Sequence, residues 1–468
     1  MEKFATFMTG PVILLLRREL RMADNSALVA AVASGRPVLP VFVLDDTSPG
    51  EWQAGGASRW WLHQSLKSLA AGLAGCGAPL VLRRGRIDVE IPRLAAEIGA
   101  SAVYAGMPTE PWARATYHLL RAVLPMPLLV HETSLLFHPD RIKTQAGTQF
   151  GVFTPFSRAC LVHFPLAPPL PAPAHIAGYE GARSDDLDSW HLRPSAPDWS
   201  SGLQGAWTPG EAGAMARLSA FMTEGVANYA AQRDVPGVDG TSRLSPHLAW
   251  GEISPRQVVH AVADHPARTK FVSEVLWREF AANLLWQHQA LPSDPLRPEY
   301  AAMPWRDDSA ALRAWQRGQT GIPLVDAGMR QLWQTGWMHN RVRMVVASFL
   351  VKHLLIPWQL GEAWFWDTLV DADLAQNAAS WQWVAGCGAD AAPYFRIFNP
   401  ALQGARFDPD GAYVRRFVPE LAGVPDRFIH TPWLAPAPPR IYPAPIIDLA
   451  AGRDRALAAF ASLKQVAA

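Results

Sequence analysis

Indole, carboxylate and guanidinium side chains recur at helical spacing in the second half of this chain. The sequence holds 20 tryptophans, and more than half of them lie between Trp277 and Trp383. Beyond packing, indole rings suit stacking on flat ligands, stacking on nucleobases and passing single electrons. Glu274, Trp277 and Arg278 stand at i, i+3 and i+4, which puts three chemically different groups on one helix face. This spacing is typical of the wall of a ligand site, although core packing explains many single tryptophans.

Two further segments repeat this mixture of side chains. Asp373, Asn377 and Trp381 follow at four-residue intervals, close to one face of a helix. Asn340 and Met344 share a second face in the same way. Both faces carry groups that can hydrogen-bond to a planar ligand or pack against it, so we expect them to line a pocket.

Charged residues near these faces need partners if they are buried. An unpaired buried guanidinium or carboxylate is strongly destabilising, so Arg343 is expected to pair with Asp371 or Asp373 inside the protein. Such a pair could line a ligand site or be purely structural, and the spacing does not choose between the two.

A loop rich in hydroxyl groups, residues 240–246, precedes a predicted helix. Hydroxyl groups and free backbone N–H groups at a helix start can bind phosphate. The same residue types are common helix N-caps, and this simpler role explains such a loop more often.

The first part of the chain supplies the strands of the predicted fold. Five short apolar runs predict strands buried on both faces, separated by helix-sized segments such as 58–73 and 87–98. Strands that alternate with helices indicate a parallel, doubly wound α/β sheet. No Gly-x-Gly-x-x-Gly sequence follows the first run, so a dinucleotide-binding turn is not indicated there. The five runs are residues 12–16, 38–44, 79–82, 102–104 and 128–130.

The composition changes after these runs. Residues 164–210 are rich in Pro and small side chains, which predicts an extended surface linker without a regular helix up to about residue 202. From about residue 211 to 369 the apolar periodicity is helical, and Gly and Pro residues separate the helices. The tryptophan-rich segment therefore belongs to a mostly α-helical domain.

Length, charge and cysteine content narrow the class of protein. A chain of 468 residues is too long for one ordinary core, which predicts two or three domains. The net charge of +1 means that a polyanion such as DNA requires a local basic patch. The three scattered cysteines indicate free thiols in a reducing, cytoplasmic setting, with neither an iron–sulfur cluster nor another metal site. The apolar run 12–16 is too short to span a membrane.

Four stretches between residues 320 and 400 are long and distinctive. They read Thr-Gly-Ile-Pro-Leu-Val-Asp-Ala-Gly-Met-Arg at 320–330, Gly-Trp-Met-His-Asn-Arg-Val-Arg-Met at 336–344, and two further motifs at 371–383 and 390–400. These stretches resemble the photolyase and cryptochrome family, most closely the DNA photolyases that repair cyclobutane pyrimidine dimers. The resemblance covers nearly the whole chain. It implies an α/β antenna domain with a doubly wound parallel sheet at 1–135, a linker at 136–210, and a large all-α flavin-binding domain at 211–468.

The resemblance also implies which residues hold FAD. In this family the flavin is bound in a folded, U-shaped form, with Asn377 beside its N5 atom and the Arg343 cation near the anionic reduced ring. The phosphate and ribose side would be held by Tyr229, Thr241, Ser242, Leu244 and Ser245. The remaining cofactor contacts would be Arg278, Trp337, Asn340, Arg343, Asp371, Asp373 and Asn377.

The implied activity is light-driven repair of DNA by electron transfer from excited reduced FAD. Photolyases flip their target out of the duplex, so the dimer needs a pocket of its own. The residues expected to act on the dimer are Glu274, Trp277, Asn340, Met344 and Trp383. The residues expected to contact the surrounding DNA are Trp277, Arg278, Arg341 and Arg396.

Two more features come with the resemblance. Trp381, Trp358 and Trp305 would form a relay that reduces oxidised flavin from the protein surface. The loop at 107–114 lacks the Asn-Glu pair by which some relatives hold a folate. The sequence Gly-Cys-Gly-Ala-Asp at 386–390 nevertheless resembles the bacterial class related to plant cryptochromes, whose usual antenna is methenyltetrahydrofolate. We therefore expect this folate as the antenna, in a monomer that acts on DNA containing pyrimidine dimers.

Alternative functions stay open beside dimer repair. A cryptochrome-type photoreceptor would share the fold and the flavin, but the chain ends soon after the helical domain, without the long tail of plant and animal receptors. A (6-4) photolyase would be expected to carry His at position Asn340 or Met344. A binding module without chemistry would need Glu274, Asn340, Met344 and Trp383 to coincide by chance. These observations favour dimer repair.

Overall fold

The computed structural model describes residues 10–391 and 395–466, and their contacts form two compact units. The first unit comprises Met1–Phe150, Thr154–Val226 and Ser242–Gln289, and the second comprises Gly151–Phe153, Ala227–Thr241 and Ala290–Ala468. The domain limits at residues 135 and 210 stay predictions. Three residues of the motif at 390–400, at positions 392–394, lie outside the described residues.

The first unit contains the predicted parallel sheet. Its strands are β1 (Val12–Leu16), β2 (Val38–Leu44), β3 (Val81–Arg84), β4 (Ala102–Gly106) and β5 (Leu128–His131). The strand order is β3-β2-β1-β4-β5, and all four pairings are parallel. From β1 the chain first extends the sheet to one side with β2 and β3, and then to the other side with β4 and β5. At such a change of direction, here between β1 and β4, the carboxyl ends of the two strands form a crevice.

The strands β1 and β2 are apolar and buried as predicted, whereas the edge strands β3 and β5 depart from the prediction. All residues of β1 and β2 are buried, as a strand covered on both faces requires. Alternate residues such as Ile13 and Val41 join Ile91 and Leu120 in one core cluster. The prediction of burial on both faces is wrong for β5, which pairs only with β4 at the sheet edge and leaves Leu129 38% exposed. The strand β3 also starts two residues later than its apolar run and ends on half-buried and exposed arginines.

Four helices follow the first four strands. They are α1 (Ser26–Ala33), α2 (Gly56–Gly75), α3 (Ile87–Ile98) and α4 (Pro111–Val123). The next helices of the chain are α5 (Phe153–Leu161), α6 (Ser201–Ala206), α7 (Glu211–Ala220), α8 (Tyr229–Gln232), α9 (Ser245–Ala249), α10 (Pro255–Ala261) and α11 (Arg268–Gln287). The linker prediction holds for most of 164–210, where one isolated bridge joins Gly178 to Val38. It is wrong at the end, because α6 already begins at Ser201.

The regular elements in the described part of the second unit are helices joined by irregular segments. After α8 they are α12 (Ser309–Gln316), α13 (Pro323–Thr335), α14 (Asn340–Ser348), α15 (Trp358–Thr368), α16 (Leu374–Ala385), α17 (Pro400–Phe407), α18 (Ala412–Phe417) and α19 (Leu449–Val466). A π-helical turn, Phe349–His353, directly continues α14. Helices α13 and α14 pack closely because Gly328 has no side chain; a Cβ there would lie 2.5 Å from a methyl carbon of Val342. This packing places the first turn of α14 against the core.

Among the described residues no helix is long and apolar enough to cross a bilayer. Nor do three His, Cys, Asp or Glu side chains cluster there in a way that could hold a metal ion. Cys76, Cys160 and Cys387 are free thiols.

Candidate functional site

An ion pair with a buried carboxylate and a half-buried guanidinium joins α14 to the segment before α16. The Arg343 Nη2 atom lies 2.7 Å from Asp371 Oδ2, and Arg343 Nε donates a hydrogen bond to the Met338 carbonyl at 2.8 Å. The pair that the sequence left open is therefore Arg343 with Asp371. Asp373 instead caps α16, where its carboxylate accepts a hydrogen bond from the Gln376 N–H at 3.1 Å. Asp373 thus precedes the helix that carries Asn377 and does not lie on its face.

One oxygen of this pair has no partner. Asp371 is only 8% exposed, and its Oδ1 atom accepts no hydrogen bond from any described residue. A buried carboxylate oxygen without a donor is destabilising, so such an atom in a folded protein usually marks a place for a water or a ligand. The Arg343–Asp371 pair therefore has the character of a binding site in addition to a structural one.

Asn377 and Trp381 lie one turn apart on α16, as the spacing predicted. Asn377 is buried, and its Nδ2 atom donates to the Glu362 carbonyl of α15 at 3.0 Å. Trp381 is 2% exposed, and a Cβ on Gly361 would lie 2.2 Å from its ring carbon Cη2. Glycine at position 361 is what lets the indole lie directly against α15.

Of the three tryptophans of the predicted electron relay, Trp381 packs against neighbouring aromatic rings. Trp381 makes edge contacts with Phe365 at 5.0 Å and with Trp315 at 6.2 Å between ring centroids. Trp358 is buried and Trp305 is half-buried. Trp315 was not among the predicted relay residues, and its Nε1 atom donates to a backbone carbonyl of α14. The relay itself stays a prediction.

The first turn of α14 presents polar and soft side chains. Asn340 is exposed and Met344, one turn later, is half-buried. Arg341 pairs with Asp234 at 3.0 Å, and its guanidinium lies 4.5 Å from the ring centroid of Phe407. Sequence reasoning missed Asp234, because it lies far earlier in the chain and no spacing links it to Arg341.

Trp383 and Arg396 form a second aromatic and basic pair in the same unit. Trp383 is half-buried, and its Nε1 atom donates to the Asp390 carbonyl at 3.1 Å. The Arg396 guanidinium lies 5.9 Å from the centroid of the Trp383 ring. The indole is thus held by its edge, and Arg396 lies beside it. Trp337, also in this unit, is 8% exposed.

The remaining dimer-contact predictions lie on α11, in the first unit. Glu274 pairs with Lys270 at 2.9 Å, and the rings of Trp277 and Phe280 make an edge contact at 5.7 Å. Arg278 donates to the carbonyls of Ser134 at 2.8 Å and Leu248 at 3.4 Å. The three residues stand on one helix and their common face is confirmed, while their roles stay predictions.

The hydroxyl-rich loop does not act as a simple helix cap. Helix α9 begins at Ser245, and its N-cap residue is Leu244, whose apolar side chain makes no capping hydrogen bond. The Ser242 hydroxyl accepts a hydrogen bond from the Leu244 N–H at 3.4 Å. In the second unit, Tyr229 is buried with the Arg233 guanidinium 5.5 Å from its ring centroid, and Thr241 is half-buried. The phosphate role of this loop stays a prediction.

A cavity of about 590 Å³ lies within the first unit, beside the carboxyl ends of β4 and β5. The Arg114 guanidinium lies 3.8 Å from the ring centroid of Trp286 and donates to its carbonyl. Burial lowers the pKa of His131 and of Arg114. Basic and aromatic side chains thus line one space together with one carboxylate; the lining includes Arg114, His118, Arg121, His131, Glu132, His138 and Trp286.

Comparison with known proteins shows the family. A family model described as the FAD binding domain of DNA photolyase matches residues 271–462, and one described as DNA photolyase matches residues 12–174. The chain is 46% identical to a deoxyribodipyrimidine photo-lyase of Agrobacterium fabrum, over 98% of this chain and 99% of that protein. It is also 34% identical to cryptochrome-1 of Arabidopsis thaliana, over 98% of this chain and 71% of that protein. The crystal structure of a bacterial class III photolyase from Agrobacterium tumefaciens superposes with a TM-score of 0.92 at 45% identity, covering 98% of each chain.

The chain therefore belongs to the photolyase and cryptochrome family. The predicted α/β domain with a parallel sheet, the helical FAD-binding domain and the identification as a photolyase are confirmed.

The residues of the second unit fit a bound flavin. FAD carries imide N–H and hydroxyl donors that could satisfy the unpaired Asp371 Oδ1 atom. It also carries an anionic ring when reduced, for which Arg343 provides a fixed cation. The buried amide of Asn377 and the indole of Trp337 add a polar and a flat surface of the kind that planar cofactors use.

Proposed function

We propose that this protein repairs cyclobutane pyrimidine dimers in DNA, using light and reduced FAD. The observation that carries the proposal is the first turn of α14, where Asn340 is exposed and Met344 follows one turn later on the helix that carries Arg343. An amide can hydrogen-bond to both the carbonyl and the N–H groups of a pyrimidine, and a thioether packs against its apolar face. A (6-4) photolyase is expected to carry His at one of these two positions, so Asn and Met favour cyclobutane dimers.

The side chains of the second unit would hold and tune the cofactor. Bound reduced FAD supplies a light-driven one-electron transfer that splits the cyclobutane ring and takes the electron back. Arg343, fixed by Asp371 and by the Met338 carbonyl, would supply a positive charge to the anionic reduced ring. Asn377 donates to the Glu362 carbonyl, which fixes the orientation of an amide that would contact the cofactor.

Aromatic and basic residues would hold the flipped dimer and its strand. Trp277 and Trp383 offer indole faces on which bases can stack, and Glu274 offers a carboxylate to a dimer N–H. Arg341 and Arg396 stand beside aromatic rings and would contact phosphates, with Arg278 in the same role. Because the net charge is only +1, binding depends on such a local patch, so affinity should fall steeply with salt.

The test is repair of a defined substrate. The reduced protein is incubated with an oligothymidine containing cyclobutane dimers, under blue light and in darkness, and the recovery of thymine absorbance is followed. Recovery only in the light is expected. Absence of recovery by a protein whose flavin is bound and photoreducible would instead favour a photoreceptor or, with a parallel (6-4) substrate, repair of that lesion.

The relay gives a separate prediction. Trp381→Phe keeps an aromatic ring at this position but removes the indole, including the distal ring carbons that lie against Gly361, so photoreduction of oxidised flavin should fall by at least tenfold. Repair by chemically reduced enzyme should stay close to that of the unchanged protein. Flash absorbance at the flavin band measures the first rate, and the dimer assay measures the second. Loss of both activities would mean that Trp381 supports the pocket and does not relay electrons.

The second chromophore is proposed to be methenyltetrahydrofolate in the cavity of the first unit. A folate combines a flat pterin ring with an anionic glutamate tail, and the cavity combines the Trp286 ring with Arg114 and Arg121. The protein should take up added methenyltetrahydrofolate, and excitation of the folate should then drive repair. Trp286→Leu should reduce the uptake and leave repair by direct excitation of flavin unchanged; equal uptake by both proteins would contradict this location.

A further inference from the structure

The first turn of α14 is capped by a histidine. Helix α14 begins directly after His339, and the His339 side chain accepts a hydrogen bond from the Arg341 N–H at 3.2 Å through Nδ1. Ser, Thr, Asn and Asp are the usual N-caps, so an imidazole in this position is uncommon. A nitrogen that accepts a hydrogen bond cannot carry a proton, so the neutral ring must be protonated at Nε2.

The surroundings keep this imidazole neutral. His339 is 2% exposed, and burial, reinforced by the charges of Arg233, Arg341 and Arg343 against that of Asp234, lowers its pKa to about 4. The ring also stands perpendicular to that of Trp337, with centroids 6.3 Å apart. At neutral pH the cap is therefore an uncharged acceptor held in place by packing.

The main chain of His339 is fixed as firmly as its side chain. Its N–H donates to Gln331 Oε1 at 3.1 Å, and the same oxygen accepts the Tyr413 hydroxyl at 2.7 Å. Its carbonyl accepts the N–H groups of Val342 and Arg343 at 2.9 and 3.0 Å. The start of α14 is thus tied to α13 and α18 through one residue.

We propose that His339 is a positioning residue for the repair reaction: as a neutral cap on α14, it sets the places of Asn340 and Arg341. This proposal rests on the proposed function, because it assigns work to those two residues. Asn340 is the first residue of the helix and Arg341 the second, so a frayed first turn displaces both side chains. The buried Nε2 atom of His339 has no hydrogen-bond partner among the described residues. Its N–H can therefore donate to a water or to a bound group.

Two variants separate capping from packing. His339→Asn keeps a capping oxygen but removes ring volume, whereas His339→Leu fills the space but removes the acceptor. If His339 caps the helix, the Leu variant should bind dimer-containing DNA roughly tenfold more weakly, and the Asn variant should stay within about threefold of the unchanged protein. If His339 only fills the core, the order of the two variants is reversed, which would overturn the proposal. Dissociation constants are measured in the dark, with FAD content checked by absorbance.

A spectroscopic measurement on the unchanged protein serves if neither variant folds. Nitrogen NMR of the ¹⁵N-labelled protein should identify the His339 ring by the coupling between its Nδ1 atom and the Arg341 N–H across their hydrogen bond, and should show that ring protonated at Nε2 alone. A proton on its Nδ1 atom at neutral pH would contradict the cap. Neither measurement needs light or repair. A protein that does not repair dimers can therefore be distinguished from one in which His339 does not cap α14.

Discussion

Two groups of arginine and carboxylate side chains lie in the two units, and they differ in how completely they are paired. At the carboxyl ends of β1 and β4, Glu110 receives Arg17 on one oxygen and Arg18 on the other, each at 3.3 Å. In the helical unit, Asp371 receives Arg343 on one oxygen, and its other oxygen has no partner among the described residues. Both carboxylates are more than nine-tenths buried.

This difference distinguishes an ion pair that only stabilises the fold from one that leaves an acceptor oxygen for a ligand. The crevice of a doubly wound sheet is a common ligand site, yet here Arg17 and Arg18 pair with Glu110 at the carboxyl ends of its two strands. A satisfied network of this kind stabilises the fold and offers nothing to a ligand. The half-satisfied pair leaves one buried oxygen without a donor among the described residues, and FAD would supply that donor.

The largest expected effect is on the half-satisfied pair. Asp371→Asn leaves the Arg343 guanidinium without its carboxylate and replaces one of the two acceptor oxygens by an amide NH2 donor, so both the cation and the flavin donors lose an anionic partner. FAD affinity should therefore fall on the order of a hundredfold or more. Flavin absorbance retained after gel filtration, followed by FAD titration of the apoprotein, measures this. Unchanged flavin affinity would mean that the unpaired oxygen serves no ligand.

The matched substitution beside the sheet should lower the free energy of unfolding rather than the affinity for FAD. Glu110→Gln should lower the free energy of unfolding by about 3 kcal/mol, because Arg17 and Arg18 lose a buried partner. FAD affinity should stay the same. Urea unfolding gives the first quantity and flavin titration the second. A loss of FAD without a loss of stability would erase the distinction between the two pairs.

Acid should remove the contributions of Glu110 and of His339 to stability in different pH ranges. Burial alone would raise the pKa of Glu110, but Arg17 and Arg18 outweigh it and lower the pKa to about 2. Its contribution, about 3 kcal/mol, is therefore complete above pH 4.5 and lost as the pH falls toward 2. Burial lowers the pKa of His339 to about 4, so its unfolded form binds the proton first, and stability falls between about pH 6.5 and 4.

One group in the helical unit partly offsets this loss. Burial raises the pKa of Asp408 to about 6, so the folded state takes up its proton earlier than the unfolded state and gains stability as the pH falls. Hydrogen exchange at pH 7, 5 and 3 should show peptides at the start of α14 losing protection before those around Glu110. The reverse order would contradict these assignments.

The smallest effect belongs to an ion pair on the surface. Arg93 and Glu90 lie one turn apart on α3 at 3.0 Å, and the Arg93 side chain is 60% exposed. Arg93→Gln should change the free energy of unfolding by no more than about 0.5 kcal/mol, because water screens the pair. A loss as large as that of Glu110→Gln, measured in the same urea series, would show that burial does not decide the strength of these pairs.

Runs of apolar residues predicted the strands correctly where every residue of a strand is buried. Strands β1 and β2 consist of continuous apolar residues, and their predicted and observed limits agree. Strands β3 and β5 were harder, because an edge strand tolerates exposed and charged residues that interrupt an apolar run. The helix α6 was missed because only six residues form it.

Local spacing predicted which side chains share a helix but not their partners. The face that joins Asn377 to Trp381, and the one that joins Asn340 to Met344, follow from helical spacing alone. The choice of Asp371 over Asp373 depends on where α16 begins, and the Asp234 partner of Arg341 depends on the tertiary fold. The cap by His339 could have been suspected from its position before the predicted helix, but not its burial.

The most direct test compares three proteins in one repair assay. Unchanged protein, Glu110→Gln and Asp371→Asn are each supplied with equimolar reduced FAD and an oligothymidine that contains cyclobutane dimers, and thymine absorbance is followed under blue light and in darkness. Light-dependent recovery by the first two proteins, with recovery at least tenfold slower for Asp371→Asn, is the predicted result. Equal recovery by all three, or recovery in darkness, would contradict the assignment of the Arg343–Asp371 pair to light-driven repair.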